Sequence, residues 1–514
     1  MKPRILLVEN VAETRETTAR LLEGEGFEVF GAENDEEARA IMARQLIHLA
    51  LIDVRLVDDD DRNDTTGLEL CRHIDGDIPR IIVTAHPNWE IVRTLAESLV
   101  EKGTKPEALL SEIRTVLTRF YDVIPRRRLA ILTSGGDAPG MNAAIWSALR
   151  TALSEQIEMF AIYDGYRGLL NDDVRKLRWS SVADTLTTGG TMLGTARSQE
   201  FKDEPEKRKI GARNLIKRHI DGLIVIGGDG SMQGAQALAA AIKDEGAKLD
   251  TVALPGTIDN DLAGTDMSIG AASAVAAAMH EINNMVAPAR ALRRIFVCEI
   301  MGKYSGFLTL ELGLCVGADA VLLPEELVVI KSGRAKNKDW QQHVDYDKTR
   351  RKVLDEIKVI AHRLEQTFSS GKRHAFVLVS EGIRLLATED KHEYVNLDEI
   401  TRALRGHVND WTITSKAEVR SQTIGYPMRG APPSRSDIHL GTTLGEAAVR
   451  ALVKGDSNVM LGWSEKGGKI DGMKFDEVVS RSNRAPEVKF ADRKDWQKTV
   501  KLQRALVKPL PKLT

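Results

Sequence analysis

The chain has few cysteines, no long apolar run and no signal-like N-terminus. Its three cysteines, Cys71, Cys298 and Cys315, stand singly and lack the spacing of metal ligands, which indicates reduced, buried thiols. No apolar run reaches the roughly 18 residues that a membrane span requires, and the opening "MKPRILLVEN" meets an acidic residue at once, unlike a signal peptide. We therefore expect a cytoplasmic protein with no membrane contact.

An excess of charge of one sign is also missing. The sequence has 72 basic and 74 acidic residues, whereas proteins that bind nucleic acid usually concentrate basic residues. Since we find no nucleic-acid-binding motif either, we expect no nucleic-acid partner. At 514 residues the chain is too long for one hydrophobic core, so two or three domains are predicted.

Residues 1–122 alternate strand-like and helix-like segments. The runs "RILLVEN", "FEVFGA", "LALIDVRL" and "RIIVTAH" have the composition of buried strands, and helical patterns lie between them. This alternation predicts a parallel, doubly wound sheet whose ligands bind beyond the carboxyl ends of the strands. Asp53 and Thr84 fall at two of those ends.

This first unit resembles the receiver domains of response regulators, which have a flavodoxin-like α/β fold. The resemblance implies that Asp53 is the candidate phosphoacceptor and Thr84 the switch hydroxyl, and that Lys105 and Pro106 form the lysine loop. It also implies that a histidine kinase could act on this domain as a partner.

The metal site of a receiver is only partly present. Receivers carry an acidic pair after the first strand, whereas this chain has Glu9 and Asn10, and one carboxylate fewer weakens Mg²⁺ binding. We interpret the acidic stretch "VDDDDRNDTTG" as a solvated loop. Two alternatives stay open: a receiver that is phosphorylated on Asp53, or a pseudo-receiver that docks or oligomerises.

A short basic segment, "YDVIPRRR", marks the boundary of the first unit. Pro125 is unsuited to the interior of a helix, and we interpret the three arginines that follow it as solvated. We predict a linker over residues 123–128 and a second unit over residues 129–514.

In the second unit, three motifs rich in glycine and aspartate each follow an apolar run. They are SGGD in "LAILTSGGDAPG", GGDGS in "GLIVIGGDGS" and PGTIDND in "VALPGTIDND". Any one of them fits an ordinary turn, but glycines also let a phosphate approach the backbone, and a helix N-terminus favours anions. Three such strand ends predict one shared crevice.

Together with "MGKYSG", these motifs resemble those of the 6-phosphofructokinases over residues 128 to about 480. The resemblance implies a two-lobed α/β fold, with ATP as phosphoryl donor, Mg²⁺ as cofactor and fructose 6-phosphate as acceptor. It also implies a homo-oligomer, with a tetramer as the expected form.

The resemblance assigns one set of residues to the nucleotide. The residues expected to contact ATP are Gly136, Arg197, Ser198, Gly228, Asp229, Gly230 and Ser231, and Asp229 is also the expected metal ligand. Pyrophosphate-dependent relatives carry aspartate where this chain has Gly230 and lysine where it has Gly256, so both positions favour ATP. A pyrophosphate-dependent enzyme remains an alternative.

A second set serves catalysis and the sugar phosphate. Asp259 is the expected general base toward the 1-hydroxyl. Thr257 would hydrogen-bond the reacting groups, and Arg197 would neutralise charge on the transferred phosphoryl group. Asp261 would support the metal site or cap a turn. The residues expected to bind substrate are Thr257, Asp259, Arg294, Met301, Gly302, Lys303, Glu381, Arg420, Tyr426 and Arg429. In the family, the residues matching Arg294 and Arg420 come from a neighbouring subunit.

The sequence departs from the family at two substrate positions. Lys303 stands where an arginine is usual, and Tyr426 where bacterial ATP-dependent members have histidine. Lysine lacks the bidentate fork of arginine, and tyrosine brings no positive charge to a phosphate. A non-catalytic sensor of ATP or sugar phosphate therefore remains a second alternative.

The effector site of bacterial members is also changed. Trp146 and Thr188 occupy positions of effector-binding arginines, and only Arg150 is retained. Because two cations are missing from a site for polyanions, we expect weak control by ordinary effectors. The added receiver would then have taken over part of the regulation.

Overall fold

The computed structural model describes the chain apart from residues 1, 59–60, 62, 86–93, 122–124, 126, 332–339, 387, 390–391, 394, 414–415, 483, 485–493 and 507–514. Among the described helices, none combines the length and apolar character needed to cross a membrane.

The N-terminal unit is a five-stranded parallel sheet in the order β2-β1-β3-β4-β5, the order of flavodoxin-like folds. Its strands are β1 (Arg4–Val8), β2 (Glu28–Ala32), β3 (Leu49–Asp53), β4 (Arg80–Thr84) and β5 (Ser98–Glu101). Its described helices are α1 (Ala12–Gly24), α2 (Asp35–Arg44), α3 (Thr66–His73) and α4 (Pro106–Phe120). Every residue of β3 is buried, as expected for a central strand covered on both faces. The predicted doubly wound receiver fold is confirmed.

The C-terminal unit contains two larger sheets and their helices. Its strands are β6 (Arg127–Ser134), β7 (Ile157–Ile162), β8 (Val174–Lys176), β9 (Gly222–Gly227), β10 (Asp250–Pro255), β11 (Arg294–Ile300), β12 (Ala320–Leu322), β13 (Ala375–Ser380), β14 (Thr388–Glu389), β15 (His392–Glu393), β16 (Glu418–Ile424), β17 (Val459–Ser464) and β18 (Lys469–Lys474). Its described α-helices are α5 (Met141–Ser154), α6 (Gly165–Leu170), α7 (Gln199–Asp203), α8 (Pro205–Lys217), α9 (Asp229–Asp244), α10 (Ala271–Ala291), α11 (Phe307–Cys315), α12 (Pro324–Leu327), α13 (Tyr346–Ser369), α14 (Glu381–Leu386), α15 (Leu397–Asn409), α16 (Pro427–Gly430), α17 (Arg435–Lys454), α18 (Phe475–Ser482) and α19 (Lys494–Leu506).

Each of the two sheets is the centre of one lobe. The first has the order β18-β17-β10-β9-β6-β7-β8, and the second has the order β12-β13-β11-β16. The strands that carry the sequence motifs run parallel within each sheet. A continuous apolar core, from Leu129 in β6 to Ile300 in β11, connects the two lobes. The two-lobed arrangement predicted for this unit is thus confirmed.

The two units touch through the ends of strands and helices that lie away from their sites. The ammonium of Lys176, at the end of β8, donates to the carbonyl of Phe120 at the end of α4 (3.2 Å). The Arg218 guanidinium lies 3.5 Å from the carboxylate of Asp77, which precedes β4. Asp53 is the last residue of β3, so it lies at the carboxyl ends of the strands. The contact with the second unit is on the side of their amino ends, away from this phosphoacceptor candidate.

The predicted linker is shorter than expected. Strand β6 begins at Arg127, and Arg128 is only 2% exposed, so the interpretation of this arginine run as solvated is wrong for Arg128. Its guanidinium pairs with the buried Glu158 carboxylate (2.9 Å), and its backbone N–H donates to Asp221 (2.8 Å). A buried arginine is tolerated here because such partners compensate its desolvation.

The cysteine interpretation is correct in part. Cys71 and Cys298 are buried, but Cys315 is exposed, and all three thiols are free. Cys315 is the last residue of α11. The apolar residues that precede it in the sequence are on the buried side of this helix, whereas Cys315 itself is on the exposed side.

Candidate active site

The three glycine-aspartate motifs lie side by side at one edge of the seven-stranded sheet. Gly227, which ends β9, is the register partner of both Ser134 at the end of β6 and Pro255 at the end of β10. The Ser231 hydroxyl donates to the carbonyl of Ser134 (2.9 Å). The N–H of Gly256 donates to the carbonyl of Gly227 (3.0 Å). The predicted shared crevice is therefore present.

The two glycines that bear on donor choice have different surroundings. A Cβ atom at Gly230 would meet no described atom within 4 Å, so this position opens onto free space. A Cβ atom at Gly256 would lie 2.7 Å from Ile226 Cγ2 and 2.8 Å from Met141 Cε. Glycine at position 256 is thus required by packing, whereas glycine at position 230 leaves room for a ligand.

Asp229 is the first residue of α9, and Gly228 is the N-cap. The partial positive charge at a helix N-terminus stabilises a carboxylate or a phosphate there. The side-chain amide of Gln233, one turn later, donates to Asp229 Oδ2 (3.0 Å). This bond fixes the orientation of the carboxylate beside the crevice.

The TIDND loop is held in shape by Asn260, to which the sequence analysis gave no role. Its backbone is left-handed (φ +47°), a conformation that asparagine adopts more readily than most residues. Its side-chain oxygen accepts from the N–H of Ser268 (2.9 Å), and its amide group donates to the carbonyl of Asp266 (3.1 Å). Ser268 in turn donates its hydroxyl to the carbonyl of Thr257 (2.7 Å). These bonds keep Thr257 and the aspartates of the loop in a fixed arrangement.

Asp259 has the surroundings of a general base. It is 7% exposed, and its Oδ1 accepts no hydrogen bond within the described part of the chain. Burial raises the pKa of Asp259 to about 6, and the charge of Asp261 adds to the rise, while Arg429 and Lys303 oppose it. A carboxylate with a pKa closer to neutrality accepts a proton more readily than an ordinary aspartate.

The loops of the second lobe carry the predicted sugar-binding residues. Met301, Gly302 and Lys303 follow β11, and Glu381 follows β13. Glu381 Oε2 accepts from the N–H groups of Gly302 (3.2 Å) and Lys303 (3.1 Å). The structure therefore brings these predicted residues together, with Glu381 fixing the loop that contains the lysine.

Lys303 faces the acidic loop of the first lobe. Although burial alone would lower the pKa of Lys303, the carboxylates of Asp261, Asp259 and Asp229 raise it. The ammonium therefore stays charged at neutral pH. Lysine at this position keeps a positive charge beside the reacting groups, although it lacks the planar fork of arginine.

Arg429 connects the two lobes. It lies in the short helix α16, which follows β16, and its Nη1 donates to the carbonyl of Asp137 (3.1 Å) in the SGGD loop. The guanidinium covers Gly136, where any Cβ atom would collide with it. Arg429 was predicted to bind the sugar phosphate, and its position adds a direct contact with the nucleotide loop.

Arg294 and Arg420 lie far from the other predicted substrate residues of the same chain. Arg294 opens β11, and Lys303 follows the other end of that strand. At about 3.3 Å per residue, the length of the strand places roughly 20 Å between its two ends. Arg420 is similarly separated from Tyr426, which is 82% exposed. Within one chain these arginines do not reach the crevice.

Arg197 and Ser198 lie next to the SGGD loop. The hydroxyl of Thr195 donates to the carbonyl of Gly135 (2.8 Å), which ties their segment to that loop. Arg197, two residues after Thr195, is exposed. Ser198 caps α7 by accepting from the N–H of Phe201 (3.3 Å), so its side chain already has a structural partner.

The acidic residues of the crevice fit a cation that arrives with a nucleotide. Among the described residues, no group of three or more His, Cys, Asp or Glu side chains is arranged to hold a metal ion. Mg²⁺ usually takes one or two carboxylates together with phosphate oxygens and waters. The Asp229 carboxylate, which Gln233 orients at the N-terminus of α9, is suited to such a shell.

The receiver site contains Asp53, Glu9 and a lysine that differs from the predicted one. Lys102, directly after β5, places its ammonium 2.6 Å from Asp53 Oδ2 and 3.0 Å from Glu9 Oε2. Lys105 is instead the exposed N-cap residue of α4, so its assignment as the site lysine is wrong. Burial raises the pKa of Asp53 to about 6, an effect that Lys102 opposes and Glu9 supports.

Arg150, the one arginine retained at the predicted effector positions, makes aromatic contacts. The Arg150 guanidinium lies 3.2 Å from the ring centroid of Trp179 and 5.6 Å from that of Trp146. The aromatic faces partly compensate the positive charge of a guanidinium that is stacked on them. The expectation of weak effector control stays a prediction.

Comparison with known proteins gives two family matches. Residues 128–452 match the phosphofructokinase family, and residues 5–114 match the response regulator receiver domain. The ATP-dependent 6-phosphofructokinase of Staphylococcus aureus strain JH9 is 38% identical over 354 residues, which cover 68% of this chain and 93% of that protein.

Solved structures show the same likeness. Phosphofructokinase from Saccharomyces cerevisiae matches with a TM-score of 0.60 and 30% identity. The match covers 74% of this chain and 50% of the yeast chain. A pyrophosphate-dependent phosphofructokinase from Marinobacter aquaeolei matches with a TM-score of 0.51 over 74% of this chain and 92% of that one. At 18% identity, the second match shows the fold alone.

Proposed function

The chain belongs to the phosphofructokinase family, and we propose that it transfers the γ-phosphoryl group of ATP to the 1-hydroxyl of fructose 6-phosphate. The observation that carries this proposal is the juxtaposition of three phosphate-type loops with a buried carboxylate whose pKa is near 6. The S. aureus relative, named as an ATP-dependent enzyme, supports the same reaction.

The arrangement supports a division of roles. Asp259 accepts the proton of the 1-hydroxyl as the oxygen attacks the γ-phosphorus, the bond from that phosphorus to the bridging oxygen breaks, and ADP leaves. In this step positioning matters more than base strength. Thr257 orients the attacking group beside it. Arg197, whose segment is tied to the SGGD loop, and the charged Lys303 stabilise the negative charge of the transferred group.

Mg²⁺ would neutralise charge on the phosphates and align them when it binds with ATP. Asp229 is the ligand that we infer for it, because its carboxylate is fixed at the N-terminus of α9. Asp261 supports this site by its negative charge.

The proposed enzyme is a homo-oligomer, with a tetramer as the expected form. The separation of Arg294 and Arg420 from their own crevice supports this, because their side chains, 25% and 55% exposed, can serve the sugar phosphate of a neighbouring copy. Arginine forks suit the phosphate dianion. The exposed Tyr426, at the crevice end of β16, would then lie near the arginines of the neighbouring copy.

A donor-exchange experiment tests the proposal. The wild-type chain should form fructose 1,6-bisphosphate with ATP and not with pyrophosphate, in an assay coupled to the bisphosphate product. Gly230→Asp places a charged side chain in the free space beside Asp229, so we expect the KM for ATP to rise by roughly tenfold or more, since a charge near a phosphate costs on the order of 1 kcal/mol or more.

The matched control is Gly406→Asp on the exposed side of α15, where a Cβ atom also meets nothing within 4 Å, and it should leave the KM for ATP unchanged. Turnover of the wild type with pyrophosphate alone would contradict the donor assignment. Ligand binding without turnover by either donor would indicate a sensor.

The receiver is proposed to regulate the kinase after phosphorylation of Asp53. Its acceptor, the neighbouring Glu9 and the Lys102 ammonium are all present. The Oδ1 of Asn10, which is buried and accepts no hydrogen bond in the described part of the chain, could replace the missing carboxylate as a metal ligand. A histidine kinase is the inferred phosphoryl source.

This regulation can be tested on the full chain with acetyl phosphate and Mg²⁺. We expect mass spectrometry to find one phosphoryl group on the wild type, and the KM for fructose 6-phosphate to shift by roughly fivefold or more, the usual scale of allosteric coupling. Asp53→Asn should show neither change. If the wild type takes up no phosphoryl group, the domain is a docking module instead.

A further inference from the structure

Two arginines at the exposed edge of the second sheet share one carboxylate. Arg294 in β11 and Glu418 in β16 are direct register partners, and Arg294 Nε lies 2.7 Å from Glu418 Oε2. The other carboxylate oxygen, Oε1, pairs with the guanidinium of Arg420. One glutamate therefore holds both arginines that the proposed function assigns to the sugar phosphate.

The three side chains occupy one face of the sheet. Because side chains alternate along a strand, Glu418 and Arg420 point to the same side of β16. The side chains of Arg294, Glu418 and Arg420 are 25%, 43% and 55% exposed. Strand β16 is the last strand of its sheet, so the cluster faces outward, where a second copy of the chain can approach.

The carboxylate has two opposing effects on this pair. Like charges on neighbouring positions of a sheet repel each other, so Glu418 allows the two guanidiniums to lie close together and fixes their orientation. Its negative charge also occupies N–H groups that a phosphate would otherwise use, and it repels the phosphate dianion. Each guanidinium has five N–H donors, so further donors remain for an incoming ligand.

We propose that Glu418 is a positioning residue that sets the affinity for the sugar phosphate, by holding Arg294 and Arg420 ready and competing with the 6-phosphate for them. The inference rests on the proposed function, in which these arginines bind the substrate of a neighbouring copy. It adds a third side chain, with a negative charge, to that phosphate site.

The test is Glu418→Gln, which keeps the shape and one acceptor oxygen but removes the charge. We expect the KM for fructose 6-phosphate to fall by roughly three- to fivefold, the scale of a partly exposed charge pair. The kcat should stay within about twofold and the KM for ATP should not change, because the cluster is remote from the nucleotide loops. Salt should weaken sugar-phosphate binding more in the variant.

Two further variants make the result decisive. Glu446→Gln removes a comparable exposed glutamate that pairs with Arg450 (2.9 Å) and should leave the KM for fructose 6-phosphate unchanged. Arg420→Ala should raise that KM. If Arg420→Ala raises it and Glu418→Gln leaves it unchanged or raises it, the role of Glu418 is wrong while the proposed function stands.

The remaining outcomes separate the two ideas. An Arg420→Ala variant with wild-type KM would overturn the arginine assignment, and with it the role of Glu418. A Glu418→Gln variant that only lowers the thermal midpoint, with both KM values unchanged, would show that the glutamate merely stabilises the edge strand. Wild-type protein without turnover would contradict the proposed function itself.

Discussion

Replacing Asp259 with asparagine should lower kcat by roughly 10²- to 10⁴-fold, the usual contribution of a general base. Asparagine has nearly the same shape as aspartate, but its amide cannot accept the proton of the 1-hydroxyl. The hydrogen bond at Thr257 Oγ1 uses the backbone N–H of residue 259 as donor, so it remains possible in the variant. The fold should therefore survive, and the KM for ATP should change little.

The pH profile adds a second measurement to this prediction. Because burial raises the pKa of Asp259 to about 6, the free wild-type enzyme loses its base as the pH falls through that value. Its kcat/KM should therefore decline on the acid side of pH 6, since this ratio reports the pKa values of the free enzyme. The residual activity of Asp259→Asn should lack that acid limb.

The control for this variant is Asp244→Asn at the exposed C-terminal end of α9, which should retain wild-type kcat and pH dependence. If Asp259→Asn keeps more than about a tenth of the wild-type kcat, a general base worth at least 10²-fold must be sought elsewhere. An unchanged acid limb in the variant would assign that titration to another group.

Much of the crevice could be predicted because its signals are local. An apolar run followed by glycine and aspartate marks the end of a strand, and parallel strands bring such ends to one edge. This is why the loops of Asp229 and Asp259 were expected to meet, and the register of β6, β9 and β10 brings them together. The receiver fold followed from the same alternation of strand and helix.

Partners that depend on tertiary contact could not be predicted in this way. The Lys-Pro dipeptide drew attention to Lys105, but the length of β5 decides which lysine reaches Asp53, and that lysine is Lys102. The arginine run at the start of β6 looked solvated, since Glu158, the partner of Arg128, lies on another strand. The pairing of charges across strands has no signature in a single sequence.

Mixed oligomers of two inactive variants, Asp259→Asn and Arg420→Ala, should regain much of the activity that each variant lacks alone. Asp259→Asn lacks the base, and Arg420→Ala lacks a guanidinium for the sugar phosphate, so each homo-oligomer should be nearly inactive at low fructose 6-phosphate. If the arginines act on a neighbouring copy, a mixed oligomer contains some complete sites. In these sites the Arg420→Ala chain provides the crevice with Asp259, and the Asp259→Asn chain provides the arginines. With random assembly, roughly a quarter of the sites should combine these parts.

Co-expression with two different tags, followed by sequential purification on both, isolates the mixed oligomer for this measurement. We expect its rate at low fructose 6-phosphate to exceed the summed rates of the two parents by at least about twofold, because the Asp259→Asn parent loses roughly 10²-fold or more and the Arg420→Ala parent loses roughly tenfold or more with its charge-assisted hydrogen bond. The control pair is Asp259→Asn with Thr257→Ala. Both changes lie in one loop, so no arrangement of these chains restores a complete site.

The prediction depends on the distance between Arg420 and the loop of Asp259 within one chain. Arg420 and the loop of Asp259 belong to different sheets, and Arg420 precedes Ile424, the last residue of β16, by four residues, which is roughly 13 Å of strand. An arginine side chain is too short to cover that separation. A mixed oligomer no faster than the sum of its parents would therefore mean that Arg420 does not serve a neighbouring crevice, and the cluster around Glu418 would have to bind something other than the substrate.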